Sequence, residues 1–133
     1  MSEIELNGWS IRQHWGACPI LVADTVKNHP HIGTGPYIRS TMIIWMDVER
    51  RVAMTLNTLY HLAEPAEDVE SNPDIQKLIA ELHPDNVPAE IRAAHNQREP
   101  WPFTNFDNDT VLEWSRERWK DYPVLVPYET PWI

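Results

Sequence analysis

The sequence predicts an α+β fold, a small antiparallel β-sheet centred on a hairpin at residues 37–62 and covered by two or three short helices from the C-terminal half. Three observations carry that expectation. In the second arm Val52, Met54, Leu56, Thr58, Tyr60 and Leu62 take every other position, so in a strand they share one face, opposite Ala53, Thr55, Asn57 and His61. The first arm, residues 38–46, is apolar with little alternation after Thr41, which suits a central strand covered on both faces. After Leu62 the pattern changes from period two to helix punctuation.

Taken in order, residues 1–17 carry Ile4, Leu6, Trp9, Ile11 and Trp15 at a spacing that begins as alternation, which predicts a short edge strand or extended arm. Residues 19–27 predict a strand, with Ile20, Val22 and Val26 on one face and Leu21 and Ala23 on the other. Two glycines, two prolines and an asparagine within residues 28–36 predict a loop. Asp47, Val48, Glu49 and Arg50 then break the apolar run as a four-residue hairpin loop built on a type I turn.

In the second half, Asn72, Pro73 and Asp74 supply an N-cap, a first-position proline and a first-turn acid. Ile75, Leu78, Ile79 and Leu82 follow at helical spacing, so a helix is predicted up to the His83–Pro84 step. Residues 88–97 repeat the device with a thinner apolar face. A third helix is predicted over 110–121, where Thr110 and Glu113 have capping-box spacing. The apolar run at residues 124–126 would add a strand. No repeat or low-complexity tract divides the chain, so residues 1–133 read as a single domain with a β-rich half (1–62) and an acidic helical half (63–133).

Ile38-Arg39-Ser40-Thr41, the hydrophobic strand after it, the charged turn, and Thr55-Leu56-Asn57-Thr58-Leu59-Tyr60 with the closing Leu62 resemble a family of small uncharacterised bacteriophage and prophage proteins, over residues 18–63. The resemblance implies a viral or mobile-element origin and brings no activity and no catalytic residue with it.

Composition narrows the function classes. With 42% hydrophobic residues the 133-residue chain can bury a core. It contains no apolar run of membrane-spanning length, and MSEIELNGWS lacks the basic start and apolar core of a secretory signal, so the cytoplasm is the expected location. The single cysteine, Cys18, agrees with a reducing compartment. Residues 1–62 carry five acidic and five basic side chains, whereas residues 63–133 carry fifteen acidic and six basic ones, so the net charge of −9 lies wholly in the second half. Between Glu64 and Glu90 eight carboxylates face Lys77 alone. Such a surface repels nucleic acid and anionic membrane and suits a basic protein partner.

Candidate chemistries are weak by comparison. His29 and His31 flank Pro30, with Asp24 or His61 to complete a metal set, but the spacing matches no established metal motif. Cys18 has His14 four residues before it and no oxyanion hole in view, so a buried structural thiol is the simpler reading. The Gly33-Thr34-Gly35 triplet precedes a strand, whereas phosphate loops open a helix. The acidic pairs, including Asp107 with Asp109, read as solvated surface. Arg116, Arg118 and Lys120 beside Trp114 and Trp119 are expected to pair with local acids. The seven tryptophans are more unusual, and Trp101 and Phe103 in a proline-bearing loop are interface types.

The leading expectation is therefore a non-enzymatic, phage-encoded interaction protein. It would bind, and as an inhibitor block, a basic host protein such as a nucleic-acid-binding defence complex, through Glu64, Glu67, Asp68, Glu70, Asp74, Trp101 and Phe103. No catalytic residue, metal or cofactor is expected, and no direct contact with nucleic acid or membrane. The competing readings are a small enzyme or ligand-binding domain with a pocket between the hairpin and the helices, using His61, His29, Tyr60 and Asp24, and a homo-oligomer paired through Trp-rich edges.

Overall fold

The computed structural model describes residues 4–14, 17–29, 33–56, 58–91 and 109–128. Six strands run in the order β1 (Glu5–Asn7), β2 (Ser10–Gln13), β3 (Pro19–His29), β4 (Gly33–Asp47), β5 (Val52–Thr55) and β6 (Leu59–Leu62), followed by helices α1 (Glu67–Ser71) and α2 (Pro73–Glu81), a 3-10 turn at Pro84–Asn86, and helix α3 (Asp109–Trp119). Strands β1, β3, β4, β5 and β6 form a closed five-stranded barrel and β2 lies outside it. Helix accounts for about 31%, in short pieces. The expected small sheet under a helical layer is thus corrected to a mostly β protein built on a barrel.

Closure explains the difference. The predicted second arm, 52–62, is not one strand but two. It folds back between Met54 and Leu59, which are paired, and the Thr55 amide and hydroxyl both donate to Thr58 O. The fold-back also changes which residues share a face. Ala53 pairs with Tyr60, so the expected single row from Val52 to Leu62 is split, with Met54 on the outer side and Tyr60 and Leu62 on the inner. After four antiparallel steps around the ring, the first and last strands must run parallel. They do: Leu6 registers with Leu62, and His61 N–H and Ala63 N–H donate to Ile4 O and Leu6 O, each at 2.8 Å.

The same seam continues past the barrel. Gly8 N–H donates to Glu64 O at 2.7 Å and Ala66 N–H to Trp9 O at 2.8 Å, so residues 61–66 run alongside 4–9. On their other side β1 and β2 meet β3 in one unbroken register, from Glu5 opposite Lys27 to Gln13 opposite Pro19. They are one strand in pairing, interrupted at Gly8–Trp9. Gly8 has φ +66, and a side chain there would collide with the Asp24 carboxylate across the ladder.

Three register shifts coil the long strands enough to close the ring, between Ile20 and Val22, between Val26 and His29, and between Ile43 and Trp45. At the first, Ser40 Oγ replaces a ladder carbonyl by accepting from Leu21 N–H at 2.9 Å. At the second, Asn28 adopts φ +66. Residues 33–36, expected to be loop, belong to β4: Gly35 pairs with Val26 and needs no left-handed backbone. The β4–β5 loop is the expected four residues long, shifted by one to Val48–Arg51, with Arg51 at φ +59.

Two hydrophobic clusters result. Leu6, Val26, Met46, Ala53, Tyr60 and Leu62 belong to the larger, which also takes in Val69 of α1, Ile75, Leu78 and Leu82 from α2, and Trp119 of α3. Ile44 and Met54, facing outward, are covered by Val87, Ile91 and Val111. The α2 start follows its sequence signature, since Asn72 Oδ1 accepts from Asp74 N–H at 2.9 Å. The third helix begins at Asp109. Residues 124–126 add no strand; only an isolated bridge joins Gln13 to Pro127. Most of the predicted 88–97 helix lies outside the described residues.

Replacing Gly8 tests the seam. Gly8→Ala should cost roughly 1–2 kcal/mol in urea denaturation, because an L-residue is strained in the left-handed region. Adding Asp24→Ala, which removes the collision but leaves φ unchanged, should recover little of that loss.

Candidate functional site

The predicted contact residues divide three ways. Glu64 is held by its backbone, its amide donating to Asn7 Oδ1 at 3.2 Å, and its carboxylate is exposed. Glu67 and Glu70 stand three residues apart on α1, both exposed. None of these three carboxylates has a cation within ion-pair distance among the described residues. Asp68 differs: it accepts from Arg12 Nη2 at 2.7 Å and from Ser10 Oγ at 2.8 Å, so it ties α1 to β2. Asp74 is half-buried in the first turn of α2. Trp101 and Phe103 lie outside the described residues, as do His31 and Asp107.

The residues proposed for a small-molecule pocket are not brought together. Tyr60 is buried in the larger hydrophobic cluster, and burial pushes its phenol up. His29 is buried at the end of β3, whereas His61 is half-buried and registers with Glu5 and Val52. Asp24 is exposed opposite Gly8. Among the described residues no three His, Cys, Asp or Glu side chains are grouped to hold a metal. Cys18 is buried, and that burial raises its thiol pKa despite the opposing pull of Arg116. A thiolate nucleophile needs the reverse. Nor do Arg116, Arg118 and Lys120 act as one patch. Lys120 pairs with Glu117 at 2.6 Å, whereas Arg118 stacks over Trp114 and Trp119 and donates to Ile44 O and Glu81 O. It is a staple between α3, β4 and the end of α2.

A cleft does lie between the β4–β5 loop and the helical segment, of about 410 Å³, lined by Trp45, Asp47, Arg50, His83 and Asp85 among others. Asp47 and Arg50 lie 3.7 Å apart in it, and His83 Nδ1 accepts from Asp85 N–H at 3.1 Å.

A second cleft, also of about 410 Å³, is better built. Its floor is Val22 and Ala23 of β3, and its walls are Tyr37 of β4 and the Pro127–Tyr128 step of the tail. The tail is positioned by one buried polar side chain. Gln13 Oε1 accepts from Leu125 N–H at 2.8 Å and Val126 N–H at 3.0 Å, and Nε2 donates to Pro123 O at 3.1 Å. The Gln13 backbone adds bonds from its N–H to Val126 O and to its O from Tyr128 N–H, at 2.6 and 2.9 Å. These bonds bring Tyr128 across from Tyr37, with hydroxyls 3.4 Å apart. The Arg39 guanidinium sits 5.6 Å from the Tyr128 ring centre, and the His14 ring 5.5 Å.

Tyr37 is 54% exposed. Even so, desolvation, followed by the hydrogen bond and charge of Tyr128, pushes its phenol up to about 12. Of the four large hydrophobic side chains that stand exposed among the described residues, Tyr37 lines this cleft, and Val124 and Leu125 shortly precede its Pro127–Tyr128 wall. Sequence reasoning missed it because Gln13 and the tail are more than a hundred positions apart; the only local signal was the Pro-Tyr step after an apolar run. No family model, curated protein or solved structure matches the chain.

Two measurements check this site. Gln13→Leu strands the Leu125 and Val126 amides, and should cost about 1–3 kcal/mol while speeding hydrogen exchange at those two amides ahead of the barrel. In ultraviolet difference titration, Tyr37 should ionise well above an ordinary tyrosine. A phenol raised in the folded state favours folding fully below pH ~10, and that contribution disappears as pH rises towards about 12. Tyr128→Phe should bring the Tyr37 midpoint part of the way down, leaving the desolvation share in place.

Proposed function

We propose that this chain is a non-enzymatic interaction protein that presents the carboxylates of Glu64, Glu67 and Glu70 to a basic surface on a partner protein. One observation carries the reading: three exposed carboxylates on a short stretch, without cation partners among the described residues, beside an Asp68 that is consumed internally. Unpaired charges of one sign on a surface steer association with a partner of the opposite sign and specify its orientation. Asp68 leaves the contact set and becomes the group that holds α1 in place.

The phage origin suggested by the resemblance over residues 18–63 gives the proposal its concrete form. The partner is a basic, nucleic-acid-binding host protein in the cytoplasm, and the carboxylates take the place of phosphates on it, which would inhibit it. No helix among the described residues is long and apolar enough to cross a membrane.

Affinity capture from a bacterial lysate, at low and high salt, tests the mechanism. The variant Glu64→Lys/Glu67→Lys/Glu70→Lys should melt close to the wild type, because surface changes without partners alter stability little. It should lose more than about tenfold in affinity for a basic partner held at low salt. A partner retained equally by the variant and at high salt would sink the acidic-surface reading.

A further inference from the structure

A different face carries a second inference, independent of the acidic segment. We infer that the cleft between Tyr37 and Tyr128 is a nucleotide site, in which a base stacks on the Tyr37 ring, the phosphate meets Arg39 beside the cleft and a sugar hydroxyl or base amino group donates to Asp24.

Each part follows from the cleft's lining and from Arg39, which lies over the ring of its Tyr128 wall. Small-ligand sites are concave, largely apolar and furnished with a few placed polar groups, and about 410 Å³ falls within their usual size range. Val22 supplies the apolar floor, and the exposed Tyr37 ring supplies the flat aromatic surface on which any base can stack. Arg39 is exposed, lies over the Tyr128 ring, and has no carboxylate partner among the described residues, in a chain with twenty acidic and eleven basic side chains. A guanidinium stacked on an aromatic ring, with its donors unspent, is suited to phosphate. Asp24 lines the same cleft and takes no cation within ion-pair distance among the described residues, which leaves an acceptor for hydroxyl or amino donors. Arg12, although it lines the wall, is already occupied by Asp68 and Ser10. The ligand so described has a ring, donors and one anionic group.

Two sources offer that chemistry, a free nucleoside monophosphate and an unpaired nucleotide in a single strand. The net charge of −9 repels a polyanion far more than a monoanion or dianion, so the free nucleotide is the form the molecule favours.

The test is NMR titration of the full chain with adenosine monophosphate, uridine monophosphate, adenosine, inorganic phosphate and a short single-stranded oligonucleotide. Saturable shifts of the Tyr37 and Tyr128 ring resonances are expected with the monophosphates at millimolar concentrations. Arg39→Leu and Tyr37→Leu, both at exposed positions, should stay folded, melting only slightly below the wild type because each loses a contact with Tyr128, and each weaken binding by about tenfold. Tighter binding of the oligonucleotide, with the same dependence on Arg39 and Tyr37, would support nucleotide chemistry and assign the source to a strand. Adenosine binding as tightly as its monophosphate, phosphate alone reproducing the shifts, or no saturable shift at all would each overturn the assignment.

Discussion

The structure depends on one parallel seam. Residues 61–66 zip along residues 4–9, and without that pairing the barrel sheet would end in two open edges, at β1 and β6. The seam is demanding because it joins segments more than fifty positions apart and requires the chain at Gly8 to enter a left-handed conformation. In return it closes the barrel and fixes the start of the helical segment. Glu64 and α1 are where they are because their backbone leaves the seam at a set point, so the acidic surface is a by-product of closure.

Closure also decides where function can reside. The larger core cluster is filled by barrel and helix side chains together, including Leu6, Val26, Tyr60 and Leu78. The two clefts described lie between the barrel and a segment laid against it, one beside the 3-10 turn and one under the tail. The segments are held by polar staples that bridge long separations in sequence, the buried Gln13 for the tail and the half-buried Arg118 for α3. A buried amide left with unmet donors or acceptors costs free energy, so each staple specifies one docking position. The cleft on the tail side takes its geometry from that specificity, since the Gln13 bonds fix the backbone that carries Tyr128 opposite Tyr37.

Local signals were the legible ones. The α2 start could be read from Asn72, Pro73 and Asp74, because an N-cap and a first-position proline act within one helical turn. The β4–β5 loop could be read to within a residue because charge interrupts an apolar run there. The segregation of charge was equally plain in the sequence, and the exposure of Glu64, Glu67 and Glu70 follows from it. Asp68 shows the limit of such reading. Its neighbours have the same chemistry and it alone meets Arg12, a fact set by the distance between α1 and β2.

The sequence by itself determined which stretches prefer strand, turn and helix, where charge accumulates, and that no established catalytic or metal motif is present. Only the tertiary structure decided that residues 52–62 turn back at 55–58, that residues 33–36 are strand, that the sheet closes and that Gln13 draws Tyr128 to Tyr37. The physical reason is the same throughout. Periodicity and capping are set by neighbours three or four positions away, whereas closure, register shifts and buried polar contacts depend on which distant segments satisfy each other's hydrogen bonds.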